Sequence, residues 1–168
     1  MAAIRHCALV LVLAAAVGCA SHKSSSGSSS RSGPARWSGA FKPEGGSAVI
    51  GSELSRARST GYGTITLTPV SDQQGRVKVD MSVTTSVTST QVAWALFEGP
   101  CGAPTPPVIA VNQFPTIEVG NNGSGIVRAE LPMTLDTRAT YHANVYWSGR
   151  ATDVTNVMMC AKLGFSGN

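Results

Sequence analysis

Val77-Lys78-Val79-Asp80-Met81-Ser82-Val83 sets an apolar residue at every second position, with charged or hydroxyl side chains between them. A strand sends alternate side chains to opposite faces, so this spacing makes one buried face and one wet face, which no helical period produces. Tyr141-His142-Ala143-Asn144-Val145-Tyr146-Trp147 alternates in the same way, with Tyr141, Ala143, Val145 and Trp147 on one face and His142, Asn144 and Tyr146 on the other. Outward from these two, further strands are expected over 37–41, 63–68, 91–98, 108–111, 117–119, 126–131 and 154–162. Asp72-Gln73-Gln74-Gly75, Gly99-Pro100, the prolines of 104–107, Asn121-Asn122-Gly123, Asp136 and Gly149 supply turn chemistry between them. Residues 45–58 read as an irregular connection, and no segment shows a helical period. Short strands interrupted this often predict an all-β fold, an antiparallel β-sandwich of about seven to nine strands with Greek-key connections.

The amino terminus has a different character. Arg5 gives it a basic start, the stretch from Cys7 to Val17 is apolar, and Ala16-Val17-Gly18-Cys19 closes the leader with small residues before a cysteine. That run is too short to span a bilayer. The box predicts a lipoprotein signal over 1–18, with the Cys19 thiol taking a diacylglyceryl group before cleavage on its amino side; the plainer alternative is a secretory leader that happens to contain a cysteine. Several acyl chains, palmitate among them, would anchor firmly where one would not. Residues 20–36 are rich in Ser and Gly, too polar to bury a core, and read as a disordered tether of 17 residues with a reach of about 23 Å. The expected division is therefore signal peptide 1–18, lipidated cysteine and linker 19–36, and one folded domain 37–168. Ala20 after the cysteine is not the Asp that retains many lipoproteins in the inner membrane, so the expected address is the outer membrane.

The formal charge of the whole chain is +4, but from residue 37 onward nine basic side chains face nine acidic ones. The excess lies in leader and tether, which excludes the basic footprint of a nucleic-acid-binding domain. Of the four cysteines, Cys7 leaves with the leader and Cys19 is acylated, so Cys101 and Cys160 remain as a pair in an oxidising compartment. A disulfide is expected. A two-cysteine metal site is the alternative, although no histidine or further cysteine lies near either position in sequence.

Glu98-Gly99-Pro100-Cys101-Gly102 at a strand end, Gly123-Ser124-Gly125 before another strand, Tyr141-His142-Ala143-Asn144-Val145-Tyr146 and a last strand bearing Cys160 together resemble chordin-type (CHRD) domains and their copper-zinc superoxide dismutase-like relatives, over roughly 92–163. The resemblance implies a β-sandwich in which a loop cysteine is bridged to the last strand. It also implies where metal-binding members hold histidines: a His-x-His pair before the loop cysteine and a histidine ending the late strand. Those places correspond here to Ala95, Phe97 and Tyr146.

Candidate chemistry is correspondingly sparse. His6 and His22 lie in leader and tether and His142 stands alone, whereas a copper or zinc centre needs several converging donors; His142 reads as an ordinary residue of a sheet face. No Gly-x-Ser-x-Gly elbow occurs, and Gly123-Ser124-Gly125 reads as a hairpin turn needing positive φ. Glu98 and Asp153 are the best acid–base pair on offer, and strand-end carboxylates are usually solvated. Trp37, Trp94 and Trp147 read as core residues, with a sugar platform as the alternative. Asn122-Gly123-Ser124 fits a glycosylation sequon by accident of turn chemistry. The expectation is a monomeric, non-enzymatic envelope module without catalytic residues, cofactor or metal, joined to the membrane by its lipid and binding an envelope protein or glycan. Dismutase-like metal enzyme and carbohydrate-binding module are the alternatives.

Overall fold

The structure, a computed structural model, describes residues 34–44, 61–88, 90–147 and 156–167. Contacts divide the chain into Met1–Arg31 and Ser32–Asn168, and the described residues belong to the second unit. The leader, Cys19 and all but the last residues of the tether lie outside them, as do the whole connection at 45–58, Gly149 and Asp153.

Nine strands are described: β1 Arg36–Pro43, β2 Tyr62–Pro69, β3 Val77–Thr84, β4 Thr90–Val92, β5 Trp94–Glu98, β6 Ile117–Val119, β7 Ser124–Leu131, β8 Tyr141–Tyr146 and β9 Val157–Ser166. Seven form one curled antiparallel sheet in the order β5-β8-β9-β1-β2-β3-β7, and β4 pairs with β6 in a second, small sheet. The fold is an antiparallel β-sandwich. β1, β2 and β3 form a meander, whereas β9 beside β1, β7 beside β3 and β8 beside β5 are neighbours in space that the chain reaches only after leaving the sheet. A single 3-10 turn spans Val111–Gln113.

The alternation in β3 sets the core side of the sheet. Val77, Val79, Met81 and Val83 are buried, Lys78 and Ser82 are exposed, and Ile65, Leu67, Val127 and Leu131 of the flanking strands join the same core. Trp37 packs edge-on to Tyr141 and tilts against Phe165. Trp94 lies edge-on to Phe114, and its Nε1 donates to the Pro115 carbonyl at 2.7 Å. The Tyr141 hydroxyl accepts from the Asp136 backbone N–H at 2.9 Å, pinning the turn that enters β8. In that turn Arg138 donates through its backbone N–H, Nε and Nη2 to the Asp136 carboxylate, which holds the Asp136 pKa at about 2. The β6–β7 hairpin closes on Gly123, whose φ of 75° is open to glycine and strained for other residues.

Four expectations change. The run at 91–98 is two strands, because the chain crosses between sheets at Ala93, whose carbonyl accepts from Tyr146 N–H. Every residue from Val92 to Phe97 is buried, so no period marked the crossing. The run at 108–111 is not a strand: Pro107 makes one bridge to Phe97, Val108 N–H donates to Leu96 O, and the chain then turns. Pro106 and Pro107 have no N–H with which to continue a ladder, and Val108, Ile109 and Val111 are apolar because they pack on the core. β9 begins no earlier than Val157 and runs on to Ser166. Finally, β8 ends at Tyr146, before Trp147, and all six of its residues are buried, so neither of its faces is wet.

Candidate functional site

β8 lies between β5 and β9, and direct register partners share a face of a sheet. Tyr141, Ala143 and Val145, opposite Leu163, Ala161 and Met159, form the core face. Asn144 lies between Ala95 and Cys160, and His142 between Phe97 and Lys162. This second face is closed by the loop after β5 rather than by another sheet. Gly99 N–H donates to Thr140 O, Thr105 Oγ1 donates to Glu98 O, and the loop returns at Val108. The Cys101 and Cys160 sulfurs lie at disulfide-bonding distance, with Cα atoms 6.1 Å apart, tying the loop to β9.

His142 is fully buried, which departs from an ordinary sheet-face position. Its ring stacks on Phe97 with centroids 5.2 Å apart and planes inclined by 16°. Nδ1 donates to the Gly99 carbonyl at 2.9 Å, which fixes the tautomer and leaves Nε2 with a lone pair. Burial pushes the imidazole pKa below 6.5, opposed by the Gly99 hydrogen bond and by the charge of Glu44. His142 Nε2 and Asn144 Oδ1 are both buried without a hydrogen-bond partner.

Ala95, Phe97 and Tyr146, which the family resemblance aligns with metal-binding histidines, are buried. Ala95 and Phe97 stand on the same face as His142. A copper–zinc centre does not fit this donor set: methyl, phenyl and phenol side chains supply no imidazole, and the one imidazole among the described residues stacks on the phenyl. Elsewhere on this face the Glu44 carboxylate and the two sulfurs lie within 4.8 Å of one another, a grouping hidden from sequence because Glu44, just past β1, is 57 positions from Cys101.

At the edge of the loop, Glu98, Gly99, Thr105, Pro106, Pro107 and Val108 line an open groove of about 480 Å³. Glu98 is exposed and is the one ionisable residue among them, so the groove holds no acid–base pair. Its expected partner, Asp153, lies outside the described residues. Trp37 and Trp94 are core residues and Trp147 is half-buried, so the described tryptophans do not make the exposed sugar platform of a carbohydrate-binding module. Asn122 Oδ1 accepts from Ser124 N–H within the hairpin turn, a structural use of the sequon.

No family model matches the chain, and no curated protein matches it. A search of solved structures finds similarity to one described as the clock protein EA4, at 13% identity and a TM-score of 0.49, covering 78% of this chain and 94% of that one. Likeness at that level carries no argument about activity.

Proposed function

We propose that the chain is a lipid-anchored bacterial envelope protein, acylated at Cys19, whose tethered CHRD-like sandwich is a non-enzymatic binding or structural module. The observation that carries the reading is the Ala16-Val17-Gly18-Cys19 box followed at once by a Ser/Gly tract, the arrangement that attaches a folded domain to a bilayer and holds it clear of the headgroups. The absence of enzymatic chemistry in the proposal rests on residue identity: Ala95, Phe97 and Tyr146 where metal-binding relatives hold histidine, and one buried imidazole already engaged with Gly99. The outer membrane is the proposed location, an envelope protein or glycan the proposed partner, and the monomer the proposed state.

Cys19→Ser tests the anchor. The variant should leave the membrane fraction or persist as uncleaved precursor, and palmitate labelling should disappear; labelling that survives the substitution overturns the reading. The untagged, oxidised domain should hold no stoichiometric copper or zinc and show no superoxide dismutation. One tightly held metal with chelator-sensitive dismutation would instead favour a dismutase-like enzyme.

A further inference from the structure

Glu44, Cys101 and Cys160 come from the residue after β1, the loop after β5 and the interior of β9, and converge so that their donor atoms lie within 4.8 Å of one another. While the sulfurs are bonded to each other they are poor ligands. Reduced, they are two thiolates beside a carboxylate. We propose that this cluster is a redox-gated site for a thiophilic divalent cation of the zinc class, closed by the disulfide and opened when a dithiol reductant cleaves it.

The geometry needs little rearrangement. Tetrahedral zinc with thiolate bonds of about 2.3 Å sets its sulfurs about 3.8 Å apart, so once reduced the pair moves from bonding to coordinating distance. A Cα separation of 6.1 Å allows this by side-chain rotation. A second observation points to the same spot. Asn144 is the register partner of Cys160 on β8, its side chain is buried, and its Oδ1 has no donor. A buried acceptor left unpaired is costly, and a cation beside Cys160 would satisfy it as a fourth ligand. On the other side of Cys160 its register partner is Lys42 of β1, an exposed side chain. Soft thiolate donors select zinc-like ions over calcium or magnesium.

The steps balance. A dithiol attacks the sulfur of Cys101, a half-buried residue, passes through a mixed disulfide and leaves as its own cyclic disulfide; the protein gains two electrons and two protons as two thiols. Binding of the dication then releases the two thiol protons to solvent. Two thiolates and one carboxylate against the ion leave one negative charge.

The test uses the full chain carrying Cys7→Ser and Cys19→Ser, untagged, so that Cys101 and Cys160 are its only thiols. After phosphine reduction, Cd²⁺ should give a thiolate-to-metal charge-transfer band saturating at one equivalent, and Zn²⁺ should compete for it. The oxidised protein should give no band. Glu44→Gln should weaken Zn²⁺ binding at least about tenfold, while near-UV circular dichroism of the oxidised variant stays that of the parent. If reduction unfolds the chain, one equivalent of Zn²⁺ should restore the near-UV signal, since binding and folding are then coupled. No band at one equivalent, an equal band in the oxidised protein, unchanged affinity in Glu44→Gln, or an unfolded reduced chain that Zn²⁺ does not refold would each overturn the proposal.

Discussion

Replacing both bridged cysteines with alanine tests how far the loop closure supports the domain. The cysteines are 59 residues apart, and cross-linking a chain over that length removes about 14 cal/mol/K from the unfolded ensemble, or about 4 kcal/mol at 25 °C. The native side of the balance changes less, because the loop is also held by Gly99 N–H to Thr140 O, Val108 N–H to Leu96 O and His142 Nδ1 to Gly99 O. With an unfolding entropy of about 2.1 cal/mol/K per residue over roughly 130 residues, a loss of 4 kcal/mol lowers Tm by about 15 °C. Urea titration with a chelator present, comparing the parent, the reduced parent and Cys101→Ala/Cys160→Ala, should show that loss together with a larger m value, since the freed chain exposes more surface on unfolding. A loss under about 1 kcal/mol with unchanged m would refute the reasoning and mean that the unfolded chain is already restrained between β5 and β9.

Three further outcomes are expected. His142 is held neutral by burial with its pKa below 6.5, so on acidification through 6.5 the unfolded state takes up a proton that the folded state refuses. The stability it contributes is complete above 6.5 and is lost as pH falls through the folded pKa. His142→Asn, which keeps a donor for the Gly99 carbonyl, should flatten that slope in urea titrations between pH 5 and 7.5; an identical slope counts against the assignment. Gly123→Ala should cost about 1–3 kcal/mol, because φ is 75° and an added Cβ would overlap the Thr85 carbonyl; an unchanged urea midpoint would contradict it. Tyr141→Phe, which leaves the Asp136 N–H without its acceptor, should cost about 1 kcal/mol by the same titration.

How much was readable from sequence depended on whether a strand has one buried face or two. β3 and β7 carry a wet outer face, with Lys78, Asp80, Arg128 and Glu130 on it, so their period of two is plain and their limits nearly so. β5 and β8 are buried on both faces; there an apolar run states only that the segment is inside. For that reason the crossing at Ala93 and the burial of His142 were invisible. The apolar residues after Pro107 misled for a related reason, since packing against the core demands apolar side chains whether or not the backbone pairs.

The sequence by itself determined the strands that keep one wet face, the turns that need glycine and the balance of charge from residue 37 onward, because all of these follow from local spacing and counting. Only the tertiary structure decided that Ala95, Phe97, His142, Asn144 and Cys160 share one buried face, that Gly99 fixes the His142 tautomer, and that Glu44 comes to the two sulfurs. Those residues are brought together by non-local pairing of β1, β5, β8 and β9, and a contact between residues 57 or more positions apart, as Glu44 and Cys101 are, leaves no periodic trace in the chain.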